Sequence, residues 1–216
     1  MNGEIENLRW VSPLHCPCGL GTHKDRLYTL ERLCLTEIDV NSGKILKRYP
    51  VPDCDFLNDL AIDRDGTIYI SDTSPGSVEG SKIYRFRKGK VEVWKQGRDV
   101  YRPNGMFIHD GKLIFGGNPG NGFLKSIDLG TERMEKVAFL GAGVIDGIRP
   151  DGKGGYLVSH WEGQIYSVSP AGQVTELIDG IGEFNTADFE YIREKSRLFV
   201  PTFLGNRIVC YEMKPE

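Results

Sequence analysis

Four oxygen-bearing side chains recur at one place in a repeating pattern: Asn58, Asn104, Asp146 and Asp188. Each opens a short, mostly apolar stretch: Asn58-Asp59-Leu60-Ala61-Ile62-Asp63, Asn104-Gly105-Met106-Phe107-Ile108-His109, Asp146-Gly147-Ile148-Arg149-Pro150-Asp151 and Asp188-Phe189-Glu190-Tyr191-Ile192-Arg193. A weaker fifth member is Cys18-Gly19-Leu20-Gly21-Thr22-His23. If each opens an equivalent innermost strand, all four side chains point into one mouth of a shared channel. Oxygen donors converging on a point suit a hard cation such as calcium, which takes roughly six to eight oxygens. Such an ion polarises a carbonyl and acidifies a bound water. Asp146 supplies charge and is the candidate to position or deprotonate that water, with Asn104, Asp146 and Asn58 as metal donors. The competing reading makes Asn-Asp and Asn-Gly simple turn devices before a strand. It is the stronger one for any single position, whereas the register as a whole favours chemistry.

Other candidates carry a plain reading of equal or greater weight. His160 precedes Trp161-Glu162-Gly163 and is a candidate proton donor to a leaving alkoxide; the alternative is a turn histidine bonded to a neighbouring carbonyl. Asn185, Asp188 and Glu190 form a polar cluster entering the fifth unit, where Asp188 reads equally as ligand or second base and as a partner of backbone amides. Asn118, in Asn118-Pro119-Gly120-Asn121-Gly122, belongs to a loop that either lines a substrate mouth or simply connects strands. Asn58, Asn118, Asn185 and Asp188 are the expected substrate contacts. The serines lack a G-x-S-x-G setting, which argues against a serine nucleophile. Five cysteines with no C-x-x-C pair read as reduced thiols filling gaps, not as a zinc site.

The elements that must position these residues form a repeat. The aligned stretches begin at 18, 58, 104, 146 and 188, so the spacings are 40, 46, 42 and 42. A period of about 40–45 residues built from short strands signals a β-propeller. Each unit continues through a turn such as Arg64-Asp65-Gly66, an apolar second strand such as Ile68-Tyr69-Ile70, an alternating third strand such as Ile83-Tyr84-Arg85-Phe86, and a polar fourth. The expectation is an all-β chain, one propeller domain over residues 1–216 with five four-stranded blades and almost no helix. The fifth unit stops after its third strand. The segment from Ile5 to Val11 has fourth-strand character, and is expected to pair with Arg207–Met213 and close the ring. The net charge of −3 lacks the basic excess of a nucleic-acid binder, and no apolar run spans a bilayer. Glu4 and Glu6 interrupt any signal peptide in the first ten residues, so a cytoplasmic chain is expected.

Three motifs at one-blade spacing, Phe56-Leu57-Asn58-Asp59-Leu60, Arg102-Pro103-Asn104-Gly105-Met106 and Val144-Ile145-Asp146-Gly147, resemble the gluconolactonase/senescence-marker-protein (regucalcin-like) family of sugar-lactone lactonases. Ser159-His160-Trp161-Glu162-Gly163, Asn185-Thr186-Ala187-Asp188-Phe189-Glu190 and Pro201-Thr202-Phe203-Leu204-Gly205-Asn206-Arg207 are similar to a bacterial branch. The resemblance implies a six-bladed propeller with one divalent cation, often calcium, at the channel mouth and a small lactone as substrate. Asn104 and Asp146 match its ligand positions, and Asn58 matches a neighbouring Asn that meets water or substrate. A ligand Glu one blade before Cys18 has no counterpart here, and Phe56 stands where the family has a substrate-binding Arg. Two functions are therefore expected to compete: a metal-dependent hydrolase of a sugar-type lactone, and a non-catalytic propeller binding a small molecule or protein at the same mouth.

Overall fold

A computed structural model describes residues 6, 7, 9–73, 76–117 and 120–213. Five antiparallel sheets follow one another as blades of a propeller. Blade one holds β1 (Cys18–His23), β2 (Arg26–Glu31), β3 (Cys34–Asp39) and β4 (Ile45–Pro50). Blade two holds β5 (Leu57–Ile62), β6 (Ile68–Asp72), β7 (Lys82–Arg87) and β8 (Lys90–Gln96). Blade three holds β9 (Pro103–His109), β10 (Lys112–Gly117), β11 (Phe123–Asp128) and β12 (Met134–Phe139). Blade four holds β13 (Ile145–Pro150), β14 (Tyr156–His160), β15 (Ile165–Val168) and β16 (Val174–Ile178). Blade five holds β17 (Glu190–Ile192), β18 (Arg197–Thr202) and β19 (Arg207–Glu212). A single 3-10 turn at Arg193–Lys195 is the only helix among the described residues. None of these elements is a helix long and apolar enough to cross a membrane.

Burial follows the expected order outward from the channel. The second strand β6 is buried along its whole length, whereas the fourth strand β16 is almost wholly exposed. Consecutive blades pack face to face through the middle strands. Leu30 and Leu35 meet Leu60, Ile70 and Tyr84 between blades one and two, and Tyr69 and Ile83 meet Met106, Leu113 and Phe115 between blades two and three. Ile114 and Leu124 meet Ile148 and Val158 next, and Leu157 and Ile165 meet Phe189, Leu198 and Val200 last. Each fully buried side chain of this kind contributes about 2 kcal/mol, so the innermost strands are held by packing behind them.

The expected strand closure does not form in the described residues. Glu6, Asn7, Arg9, Trp10 and Val11 lie outside any strand, and the fifth sheet has three strands; Ile5 and Leu8 fall outside the described residues. The chain that follows is held on blade one instead. Arg48 Nη2 donates to the Pro13 carbonyl at 2.9 Å, and His15 N donates to Glu31 Oε1 at 2.7 Å. The buried Glu31 is itself paired with Arg48 Nε at 2.7 Å and accepts from Thr36 Oγ1. This anchored run contains Pro13 and Pro17, which have no N–H to give a sheet ladder.

Candidate functional site

The channel mouth is built by a bulge that recurs in four blades. In blade two, Leu57 faces Asp72 and the next clean pair is Leu60 with Ile70, so Asn58-Asp59 occupies the space of one partner residue. The same offset places Asn104-Gly105 between the Pro103–Gly117 and Met106–Phe115 pairs, and Asp146-Gly147 between Ile145–His160 and Ile148–Val158. In blade one the extra residue is Gly19, and Cys18 takes the position of Asn58. A bulge bends the strand and re-aims the side chains it carries. It also orphans backbone N–H groups, and serines of the second strands accept them. Ser71 Oγ takes Asp59 N at 2.9 Å; Ser159 Oγ takes Gly147 N at 2.7 Å and donates to the Ala187 carbonyl at 2.8 Å. Inner strands come close here. A Cβ on Gly105 would fall 1.3 Å from the Asp146 carbonyl oxygen, so only glycine fits beside that backbone.

Carboxylates from three blades share the channel. Asp59 is 7% exposed and accepts Leu60 N and Met106 N, both at 2.7 Å, which ties blade two to blade three. Burial, with the charges of Asp188 and Asp146 adding, holds its carboxyl well above the ordinary range. Asp146 receives no hydrogen bond on its carboxylate among the described residues. Burial first, then the neighbouring charges of Asp188 and Glu162, push its pKa up to about 7. Burial also raises Asp188, with Arg149 opposing. Arg149 crosses between blades four and five: Nη1 lies 3.4 Å from Asp188 Oδ1, Nε lies 3.2 Å from Glu190 Oε2, and the guanidinium stacks 5.5 Å above Phe107. Beyond this bridge the channel continues as a cavity of about 440 Å³ that also touches Thr22, His109 and Arg193.

The expected site residues divide. Asn58, Asn104 and Asp146 occupy equivalent bulges at the mouth. Asn58 Nδ2 donates to Thr73 Oγ1 at 3.2 Å, and that hydroxyl donates to the Pro103 carbonyl at 2.9 Å. Asn104 is 3% exposed and its Oδ1 is buried with no donor among the described residues. Asp188 stands at the blade-five entry on Arg149, and Asn185 Nδ2 donates to the Trp161 carbonyl at 3.0 Å. Asn118 lies outside the described residues. His160 is interior: it is 1% exposed, edge-on to Tyr166 at 5.0 Å, with Nδ1 beneath Gly143 and Nε2 without a partner among the described residues, and burial lowers its pKa. Asp59, Ser71, Ser159 and Arg149 also shape the site and were not singled out from the sequence. The serines had a readable signal, the matching Ile70-Ser71 and Val158-Ser159 at equivalent second-strand positions.

A cation at the mouth is compatible with this donor set in one specific sense. Asn104 offers a buried acceptor with nothing to accept, and Asp146 is a desolvated carboxylate whose near neighbours are acidic. Among the described residues, no three His, Cys, Asp or Glu side chains form a metal-holding group by themselves. Amide oxygens and water would have to complete the shell.

The model of the SMP-30/gluconolactonase/LRE-like region matches residues 9–189. The chain belongs to this family. No curated protein sequence matches it. Among solved structures, virginiamycin B lyase from Staphylococcus aureus aligns at 16% identity with a TM-score of 0.68, over 91% of this chain and 69% of the other. A gluconolactonase from Xanthomonas campestris aligns at 21% identity and a TM-score of 0.65, over 82% of this chain and 65% of its own. The nidogen/laminin complex aligns at 14% identity and a TM-score of 0.76, over 93% and 77%. At these identities the likeness is one of fold. In this SMP-30/gluconolactonase-like chain the motifs at Asn58, Asn104 and Asp146 all fall within the matched region.

Proposed function

We propose that the chain hydrolyses a sugar-type lactone with a divalent cation bound at the channel mouth. The observation that carries this reading is Asn104 Oδ1, a buried acceptor without a donor, in the same bulge position as the uncompensated carboxylate of Asp146. A buried acceptor left alone costs about 1–3 kcal/mol, a cost that a ligand in the mouth removes. Asn104, Asp146 and Asn58 would hold the ion, with calcium the candidate that the family resemblance supports. When bound, it supplies Lewis acidity toward a carbonyl oxygen. Asp146 would take a proton from the attacking water. The water oxygen bonds to the lactone carbonyl carbon, the ring C–O bond breaks, and the proton passes to the departing alkoxide, giving an open hydroxy acid. Asn58 has its amide nitrogen engaged with Thr73, which leaves its carbonyl oxygen to meet water or a substrate hydroxyl. Asp188, held by Arg149, and Asn185 are the substrate contacts on blade five, and Asn118, outside the described residues, is a further candidate. His160 is given no step, because its ring is enclosed in blade four.

The test is turnover of a lactone panel with calcium and with a chelator. We expect slow, cation-dependent hydrolysis that Asp146→Asn lowers by about a hundred-fold or more. Hydrolysis undiminished by the chelator overturns the mechanism. A second reading, a binding propeller without chemistry, is supported by the lack, among the described residues, of a self-sufficient metal-binding group. A folded chain that binds a sugar acid saturably yet turns over no lactone supports that reading.

A further inference from the structure

The channel mouth carries apolar side chains to which the hydrolytic step assigns no role. Trp161 follows His160, which pairs with Ile145, and Trp161 N donates to the Val144 carbonyl at 2.9 Å, so this residue stands beside the bulge of Asp146. Phe203 follows Thr202, which bridges to Thr186 at the entry of blade five, and Phe203 N donates to the Asn185 carbonyl at 3.1 Å. The Trp161 and Phe203 rings meet edge to face at 5.7 Å across the blade boundary. Asn185 ties them together, with Nδ2 donating to the Trp161 carbonyl at 3.0 Å. Phe203 is 62% exposed, and its neighbour Leu204 is more so. On blade two, Phe56 is 45% exposed; its N donates to Asp72 Oδ1 at 2.9 Å and its carbonyl accepts from Thr73 N at 3.0 Å. Thr73 also accepts from Asn58, so Phe56 is fixed to the same support as a residue of the mouth.

Phe56, Phe203 and Leu204 are thus held in place but left uncovered. Exposed apolar groups gathered at a polar mouth mark a surface that meets a ligand. The polar groups among these rings are spent on the backbone: Asn185 Nδ2 on Trp161, Asp72 on Asp55 N and Phe56 N, and Thr73 Oγ1 on the Pro103 carbonyl. What they leave facing outward is hydrocarbon, which offers no hydrogen bond to a polyhydroxylated chain. We propose that the substrate is a lactone with an apolar substituent, alkyl or aryl, which rests on the Trp161–Phe203 pair while the ring carbonyl lies at the mouth. Phe56 is a second apolar contact. This rests on the reading that the mouth hydrolyses a lactone, and it names the class of lactone. Apolar area removed from water on the rim favours binding in proportion to its extent, so each added methylene tightens the complex by about two- to four-fold.

A series of δ-lactones that differ only in the length of one alkyl chain, from methyl to hexyl, tests this beside glucono-δ-lactone. We expect kcat/KM to rise about two- to four-fold per methylene, through KM and not kcat. That dependence should flatten to under about 1.5-fold per methylene in Phe203→Ala and in Phe203→Ser. It should persist in Val174→Ser, which removes an exposed apolar residue from the outer strand of blade four. Circular dichroism checks that each variant is folded, and two Phe203 variants guard against one that is not. Binding is read separately with the matching alkyl lactams, which resist hydrolysis. They should change the tryptophan fluorescence with the same dependence on length, and Trp161→Phe should remove that change. Glucono-δ-lactone preferred over every alkyl lactone, or a length dependence unaltered in folded Phe203 variants, overturns the proposal and leaves lactone hydrolysis standing. Length-dependent lactam binding without turnover of any lactone supports the apolar contact and removes the hydrolase. Neither binding nor turnover along the series removes both.

Discussion

Blade two puts Asp59 in the second place of its bulge, and blade four puts Asp146 in the first place of the equivalent bulge. Both carboxyls are desolvated in one channel, and both are raised above the ordinary range. Their partners differ. Asp59 accepts two backbone N–H groups, one of them across the blade boundary from Met106, and it is spent on holding β5 against β9. Asp146 accepts none among the described residues, and its neighbours are the acids Asp188 and Glu162. Where the bulge carries an acid in its second place, the acid is a strut. Where glycine fills that place, as at Gly105 and Gly147, the strands close up and the preceding side chain keeps an oxygen with no hydrogen bond among the described residues. The same backbone device thus yields a hydrogen-bonded carboxyl in one blade and, among the described residues, an unpartnered one in another.

This contrast predicts very unequal costs of mutation. The largest belongs to Asp59→Ala, which strands the buried Met106 N–H and removes the tie between two blades. We expect a loss of about 2–3 kcal/mol in urea unfolding. Asp59→Asn should cost under about half of that, because its amide oxygen still accepts Met106 N. An Asp59→Ala protein within about 0.5 kcal/mol of the parent would mean that the two carboxyls do not differ in kind.

The serines that accept the bulged N–H groups come next. Ser159→Ala leaves Gly147 N without its acceptor and cuts the link to the Ala187 carbonyl, and should cost about 1–1.5 kcal/mol. For a chain of this size that lowers the melting temperature by roughly 2–5 °C. Ser71→Ala should cost about the same, since Ser71 Oγ likewise accepts a bulged N–H, that of Asp59, and donates to a carbonyl, here that of Asp59 itself. If Ser71→Ala were silent while Ser159→Ala was costly, the two bulges would not be equivalent supports.

The limits of sequence reading follow the same line. The repeat was legible because apolar strands and Gly-rich turns recur with a fixed period. The ring positions Asn58, Asn104 and Asp146 were legible because they open each period. Asp59 was passed over, since only the fold shows that its carboxylate crosses to Met106. Arg149 reads as a polar residue on an inner strand until the blades close and set it beside Asp188 and Glu190. The fourth-strand pattern at residues 5–11 misled for a related reason. Alternation says that a segment suits an edge, but not which contacts hold its neighbours, and the Glu31–Arg48 pair holds the following run on blade one.

The subtlest test concerns the pH dependence that Asp146 imposes on the metal-free protein. Its carboxyl has a pKa of about 7 in the fold, against about 3.9 in an unfolded chain. The folded state therefore holds this proton more tightly. The stability this group contributes is fully present below about pH 4 and is lost as pH rises through about 7. Asp146→Asn carries a neutral side chain of the same shape and feels no such loss. In chelator, the variant and the parent should unfold within about 0.5 kcal/mol of each other near pH 4, and the variant should be the more stable by about 1–3 kcal/mol near pH 8. Adding the cation at pH 8 should reverse that order, because only the parent has the charge to hold it. A variant destabilised equally at both pH values would show that Asp146 is a strut like Asp59, and would erase the difference between the two bulges.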